Sequence, residues 1–106
     1  MNSRSTALVG GMTFTLTDDS ALLKPLGLGA RSAANRIFMA PLTRGRAAAD
    51  GTPSDLQVEY YAQRSAAGLI ITEISAIHPS GIAIPSELGS YDDRFIPGLK
   101  KLADVK

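Results

Sequence analysis

Two side chains with chemical capability follow two short apolar segments of the chain. Thr43 comes after Ile37-Phe38-Met39-Ala40-Pro41-Leu42, and Glu73 ends the run Leu69-Ile70-Ile71-Thr72. A continuous apolar run is typical of a strand buried on both faces, as in a parallel sheet. Ligands of parallel α/β folds bind at the carboxyl ends of the strands. We therefore expect a functional site around Thr43.

Each polar residue of this region is open to a second interpretation. The Thr43 hydroxyl could donate to a ligand oxygen that gains charge, or could satisfy a turn or cap. Glu73 could be catalytic, but a buried carboxylate bonded to backbone or to an arginine is the commoner situation. Arg44 and Arg46 could bind a phosphate, or could belong to a solvated loop or an ion pair. His78, the single histidine, has no partner at metal or triad spacing.

A helix and a second strand must position these groups. Ser54-Asp55-Leu56-Gln57 has the pattern of a capping box, so a helix is predicted over 55–66, with Gly68 as its stop. Its apolar side is expected to include Leu56 and the pair Tyr60-Tyr61, with one tyrosine hydroxyl reaching water. With a second strand at 69–74, the spacing indicates a parallel βαβ unit.

The flanking segments complete the prediction. Leu22–Asn35 has alternating leucines and a glycine-rich bend, which indicates a hairpin. Residues 1–20 are expected to be a poorly ordered extension, with an amphipathic targeting segment as the minority alternative. The stretch from 75 to 91 is a long loop. A last helix should begin near Asp92 or Asp93 and run to Lys106, with inward residues at helical spacing, namely Phe95, Leu99 and Leu102.

Composition excludes several classes of protein. The 106 residues carry a formal net charge of +1, so the chain lacks the excess of basic residues that is typical of nucleic-acid-binding proteins. The chain has no cysteine, so disulfides and thiolate metal sites are excluded and a cytoplasmic location is expected. No apolar run approaches the roughly 20 residues of a membrane helix, so no membrane partner is predicted.

Several segments, in order, resemble the Old Yellow Enzyme family. The resemblance implies an α/β fold, specifically an incomplete (β/α)8 TIM barrel over residues 21–106: its first two βα units, preceded by an N-terminal hairpin. The matching segments are Leu23-Lys24-Pro25-Leu26 with Leu28-Gly29 for the hairpin, Asn35-Arg36-Ile37-Phe38-Met39-Ala40-Pro41-Leu42-Thr43-Arg44 for the first strand, Glu59-Tyr60-Tyr61-Ala62-Gln63-Arg64 for the first helix, Ala67-Gly68-Leu69-Ile70-Ile71-Thr72-Glu73 for the second strand and Pro97-Gly98-Leu99-Lys100-Lys101-Leu102 for the second helix.

The same resemblance implies a cofactor and its contacts. The family consists of FMN-dependent, NAD(P)H-linked reductases of activated alkenes and related small-molecule electrophiles. Ala40, Pro41 and Leu42 match the strand end whose backbone lies along the flavin ring. Thr43 matches the residue whose hydroxyl bonds the flavin O4 region. Ile74 matches a position beside the flavin where alanine is usual.

The resemblance also limits the expected function. Ile84 falls where several relatives carry an aromatic residue in the substrate pocket. The family's catalytic and phosphate-binding residues match no position here, so no catalytic residue and no metal ligand is predicted. We expect an N-terminal fragment that is inactive alone. The alternatives are a non-catalytic remnant that pairs through an exposed strand edge, by self-association or with a complementing chain, and a different barrel enzyme.

Overall fold

The computed structural model describes the backbone of Arg4–Val9 and Met12–Thr17 and all residues from 20 to 106. The chain divides into two compact units. The first comprises the described part of Met1–Phe38 together with Ala67–Leu69, and the second comprises Met39–Ala66 and Ile70–Lys106.

The first unit contains two antiparallel hairpins. Strands β1 (Arg4–Val9) and β2 (Met12–Thr17) pair along their whole length. Strands β3 (Leu26–Leu28) and β4 (Arg31–Ala33) pair around a turn in which Gly29 has a φ of +62°, which glycine adopts without strain. The hairpin predicted within residues 22–35 is confirmed.

The β1–β2 hairpin differs from the poorly ordered extension predicted for residues 1–20. Met12-Thr13-Phe14-Thr15-Leu16-Thr17 alternates polar and apolar β-formers, a period of two that favours a strand. Residues 1–3, 10, 11, 18 and 19 lie outside the described residues. The domain boundary near residue 20 stays a prediction.

The remaining strands are short. β5 (Phe38–Met39) and β6 (Leu69–Ile70) form a two-stranded sheet, and β7 (Ser75–Ala76) runs parallel to β8 (Leu88–Gly89). The Gly68 N–H donates to the Ile37 carbonyl at 2.8 Å and the Ile71 N–H donates to the Met39 carbonyl at 3.1 Å. From the first of these bonds to the second, the residue number rises on both segments, as it does in a parallel pair.

Two strands and two helices were predicted to be longer than they are; the helices were expected over 55–66 and from near Asp92 or Asp93 to Lys106. The first strand was predicted over 37–40 and the second over 69–74, but each spans two residues, and Ile37 and Phe38 are partly exposed rather than buried. A single neighbouring strand cannot cover both faces. The helices are α1 (Asp55–Ala62) and α2 (Ile96–Ala103), and single 3-10 turns cover Ala21–Leu23, Pro79–Gly81 and Asp93–Phe95.

Helix α1 begins with the predicted capping box. The Ser54 hydroxyl accepts from the Gln57 N–H at 3.2 Å, and the Gln57 side-chain oxygen accepts from the Ser54 N–H at 2.9 Å. The buried face of the helix differs from the prediction, because Gln57 and Tyr61 are buried whereas Leu56 is 58% exposed. A polar side chain can take the inward position here because its hydrogen bonds are satisfied there.

The core of the second unit forms around α1 and α2. Its buried members are Ala47, Tyr61, Leu88 and Leu102, and half-buried residues such as Leu99 and Val58 pack against them. Phe95 is fully buried, which confirms the predicted inward face of the last helical segment. These contacts link the two helices to β8 and to the loop after β5.

A buried carboxylate links α1 to the segment after β6. Glu73 is 2% exposed; its Oε1 accepts from Gln57 Nε2 and its Oε2 accepts from the Tyr61 hydroxyl, each at 2.8 Å. The same hydroxyl accepts from the Glu73 N–H at 2.9 Å. Burial confirms one interpretation of Glu73, although its partners are a tyrosine and a glutamine rather than backbone or an arginine. Burial raises the pKa of Tyr61 to about 12, so its phenol stays a donor.

Gly68 has a different role from the helix stop predicted for it. Helix α1 already ends at Ala62, with Gln63 as its cap. A Cβ atom on Gly68 would instead overlap the carbonyl oxygen of Asn35. Only glycine lets the two backbone segments of the first unit approach this closely.

We expect Tyr61→Phe to destabilise the protein by about 1–3 kcal/mol, because it leaves a buried carboxylate oxygen and a buried N–H without a partner. The matched control is Tyr60→Phe, since the Tyr60 hydroxyl has no hydrogen bond within residues 20–106. Urea unfolding of both variants measures the difference. Equal losses would show that the Glu73 network contributes nothing.

Gly68→Ala should lower the free energy of unfolding by about 1–3 kcal/mol, because the backbone must move to admit the new methyl group. Gly81→Ala is the control, since nothing lies within 4 Å of its added Cβ. Thermal melts of the two variants compare them. A Gly68→Ala protein as stable as Gly81→Ala would contradict the close approach at Asn35.

Candidate functional site

The predicted cofactor residues lie directly after β5. Ala40, Pro41 and Leu42 form an irregular exposed segment, and Leu42 is 57% exposed. Thr43 follows and is half-buried. The segment therefore presents its backbone and one leucine to the outside at the carboxyl end of the strand, where parallel folds place ligands.

The second predicted segment leaves the same pair of strands. The hydrogen bond from Ile71 to the Met39 carbonyl holds it beside the residue that precedes Ala40. Ile74, three residues further on, is 53% exposed and directly precedes β7. Within residues 20–106 no hydrogen bond joins Thr43 to Ile74, so the two segments share an origin but not a direct polar contact.

Ile84 lies against the loop that begins at Thr43. Gly45 in this loop has a φ of +62°, and a Cβ atom there would meet Ile84 Cδ1 at 3.9 Å and the Pro85 carbonyl oxygen at 3.8 Å. The long segment after β7 thus folds back on the loop after β5. The position predicted to line a substrate pocket is brought to the loop that carries Thr43.

The Thr43 hydroxyl is available to a ligand. Within the part of the chain from 20 to 106 it has no hydrogen-bond partner. Exposed apolar side chains occur on both strand-end segments, namely Leu42 next to Thr43 in the chain and Ile71 and Ile74 after β6. A flat, mostly apolar ring with carbonyl oxygens suits such a surface, because apolar area would be covered and the hydroxyl would gain an acceptor. These residues fit one face of a flavin.

Two other polar candidates, Glu73 and His78, already have hydrogen-bond partners. Both carboxylate oxygens of Glu73 accept hydrogen bonds, so it is a structural group. His78 is exposed, and its Nδ1 accepts from the Ser80 N–H at 3.1 Å. Among residues 4–9, 12–17 and 20–106, no group of His, Cys, Asp and Glu could hold a metal ion. In the same residues, no helix has the length and apolar character needed to cross a membrane.

Sequence reasoning missed the second role of Gln57. Its capping partner lies three residues away, which local spacing reveals, but its amide also reaches Glu73, which lies 16 residues away. No local pattern signals that second bond. Only the folded arrangement of α1 against the segment after β6 creates it.

Comparison with known proteins gives these features a context. The model of the NADH:flavin oxidoreductase / NADH oxidase family matches residues 21–105. A probable flavin mononucleotide-dependent alkene reductase of Leishmania infantum is 41% identical over 84 residues, which are 79% of this chain and 23% of that protein.

Solved structures agree with the match. The old yellow enzyme homologue NCR from Zymomonas mobilis is 42% identical with a TM-score of 0.76, and the match covers 81% of this chain and 24% of that one. Morphinone reductase, solved in complex with tetrahydroNAD, is 40% identical with a TM-score of 0.75 over 82% of this chain and 24% of its own.

The chain thus spans 23% to 24% of the length of these relatives. Its fold corresponds to part of the (β/α)8 barrel of Old Yellow Enzymes, which confirms the predicted class. By the extent of the family match and by its identity to these relatives, the chain belongs to the NADH:flavin oxidoreductase / NADH oxidase family, that of the Old Yellow Enzymes.

Proposed function

We propose that this chain forms the first two βα units of an FMN-dependent oxidoreductase. The reductant is NAD(P)H, and the substrates are activated alkenes or related small electrophiles. The observation that carries the proposal is the Thr43 hydroxyl, which has no hydrogen-bond partner within residues 20–106 and follows the exposed Leu42 just after β5, in the segment that matches the family.

The proposed roles come from the family positions that these residues match, and their place at the strand end supports them. The exposed backbone of Ala40, Pro41 and Leu42 lies along the flavin ring, and Ile74 covers part of the ring from the second segment. Thr43 donates a hydrogen bond to a ring oxygen whose negative charge grows on reduction. Bound FMN supplies the hydride chemistry, and the protein supplies its position and polarity.

Ile74 gives this site a specific shape. Its side chain is larger than the alanine usual at this position in the resemblance, and it is exposed toward the solvent. A branched side chain beside the ring narrows the space for a substrate. We therefore propose that the complete site favours small, flat electrophiles.

A chimera tests the proposal. Residues 21–106 replace the matching segment of the Zymomonas mobilis homologue, which is 42% identical. We expect the chimera to bind FMN and to oxidise NAD(P)H in the presence of an activated alkene, whereas the 106-residue chain alone retains no flavin. A folded chimera without flavin, or flavin on the chain alone, would contradict the proposal.

In this chimera Thr43→Ala should make the flavin harder to reduce. Losing one hydrogen bond to a developing charge costs about 1–3 kcal/mol. For a two-electron couple this lowers the midpoint potential by tens of millivolts, on the order of 20–60 mV. The melting temperature should change little, because Thr43 has no partner within the described chain.

The control for this experiment is Thr72→Ala, an exposed threonine on the segment after β6. It should leave the potential unchanged. An unchanged potential in Thr43→Ala together with a large fall in melting temperature would identify Thr43 as a structural cap.

A second candidate function is an association module. The observation that favours it is a group of exposed isoleucines in the second unit, where Ile77 is 84% exposed. Exposed apolar surface beside short strand pairs is a site where another chain can bind. The members of this group are Ile71, Ile74, Ile77, Ile82 and Ile84.

We expect the isolated chain to self-associate through this group. Sedimentation velocity should show species larger than a monomer, and Ile74→Lys combined with Ile77→Lys should shift the distribution toward the monomer because a buried lysine in the contact is costly. Lys101→Ala, on exposed surface of α2, serves as the control. A monodisperse wild-type monomer with a sharp thermal transition would exclude the module.

A further inference from the structure

A cleft along α1 is not used by the proposed function. Its volume is about 270 Å³, and it lies wholly within the second unit. It joins the loop after β5 to the exposed side of the helix. Its lining residues are Arg44, Arg46, Leu56, Gln57, Glu59, Tyr60 and Gln63.

Two guanidinium groups, those of Arg44 and Arg46, line this cleft, and a third, that of Arg64, lies over the ring of the lining residue Tyr60. The Arg44 guanidinium carbon lies 5.2 Å from the centroid of the Tyr60 ring, and that of Arg64 lies 4.0 Å from the same ring. Arg46 Nη1 donates to the carbonyls of Arg44 and Gly45, each at 3.2 Å. Arg46 is therefore held in place by its own loop, and its remaining N–H groups are left over for a ligand.

None of these three cations is neutralised. Within residues 20–106, no carboxylate lies within 4.0 Å of the charged nitrogens of Arg44, Arg46 or Arg64. The ion-pair interpretation of Arg44 and Arg46 is therefore wrong for the described chain. Glu59 is the one carboxylate in the lining, and its Oε1 accepts from Gln63 Nε2 at 3.5 Å.

A second arginine–aromatic cluster in the same unit differs because its arginine is paired with carboxylates. The Arg94 guanidinium carbon lies 4.6 Å from the Phe95 ring centroid and 5.7 Å from that of Tyr91. Arg94 also lies 3.7 Å from Asp92 and 4.0 Å from Asp50. That cluster is balanced by its own carboxylates, whereas the cluster at Tyr60 is not.

We propose that the cleft binds a small organic phosphate monoester. The lining holds the Arg44 and Arg46 guanidinium groups and the Glu59 carboxylate, and the Arg64 guanidinium lies beside it over Tyr60; together they leave two net positive charges, which complement a phosphate dianion. Arginine is the side chain best shaped for phosphate, because its planar fork can donate two parallel hydrogen bonds. Leu56 and the Tyr60 ring supply apolar contact for the organic part.

A single carboxylate fits the cleft less well. It carries one negative charge and would leave part of the positive charge unmatched. Above its second pKa of about 6, a phosphate monoester carries close to two charges and three acceptor oxygens. The affinity for a phosphate monoester should therefore rise between pH 5 and pH 7, when the ligand loses its second proton.

The test is calorimetric titration of the full chain with phenyl phosphate, inorganic phosphate and benzoate. We expect phenyl phosphate to bind with a dissociation constant on the order of 1 mM or below, and benzoate to bind about tenfold more weakly. Arg44→Gln should weaken phenyl phosphate about tenfold, because Arg44 makes no hydrogen bond through its side chain within residues 20–106 and its loss should not disturb the fold.

Two further variants should differ from Arg44→Gln in their affinity for phenyl phosphate: one should gain affinity and the other should not change. Glu59→Gln should lower the dissociation constant of phenyl phosphate about threefold, since it removes the negative charge from the lining. Arg94→Gln should change nothing, although it also removes a guanidinium from an aromatic cluster. Circular dichroism spectra verify that each variant folds.

Several outcomes would overturn the proposal. They are no heat with phenyl phosphate in the folded chain, equal weakening by Arg94→Gln and Arg44→Gln, and equal affinity for benzoate. Tighter binding of an oligoglutamate peptide than of phenyl phosphate would assign the cleft to an acidic protein segment instead. If inorganic phosphate bound as tightly as phenyl phosphate, the organic group would contribute nothing to binding and the proposed ligand class would be wrong.

Discussion

The buried Glu73 carboxylate is the interaction on which the second unit depends. It takes one hydrogen bond from Gln57 and one from Tyr61, and its own N–H donates back to the tyrosine hydroxyl. A carboxylate without those donors would be too costly to bury. The three residues thus fix helix α1 against the end of the second strand segment, and the exposed loop after β5 is held on the same framework.

This framework separates two surfaces of different character. The strand-end surface is apolar, with Leu42 and Ile74 exposed and with a Thr43 hydroxyl that has no hydrogen-bond partner within residues 20–106. The cleft along α1 is cationic: Arg44 and Arg46 line it, and the guanidinium groups of Arg44 and Arg64 lie over the Tyr60 ring. Gln57 belongs both to the buried framework and to the cleft, because it lines the cleft while its amide donates to Glu73.

The exposed isoleucines have a physical meaning in this context. A parallel strand with one neighbour leaves a face and an edge unpaired, and the side chains that would be buried in a wider sheet stay in water. Ile71 and Ile74 lie on this segment, next to the proposed flavin position. The same residues therefore serve both proposals, as the wall of a flavin site or as a contact for another chain.

Local signals in the sequence were enough for several elements. The capping box at Ser54 and Gln57 depends on neighbours three residues apart, and the hairpin at β3 and β4 depends on a glycine turn. The matching segments identified the family, and with it the barrel class. Strand lengths and the burial of Leu56 were predicted wrongly, because both depend on which neighbours cover a segment.

Contacts between distant residues were decided only by the tertiary structure. The partners of Glu73 lie 12 and 16 residues away, and the constraint on Gly68 comes from the backbone of Asn35. Likewise, the sequence left Arg44 open between a phosphate site, a solvated loop and an ion pair, and only the folded chain shows that no carboxylate within residues 20–106 reaches it. Residue types and spacings determine which elements form, whereas packing determines which polar groups are neutralised, since that depends on distances in space.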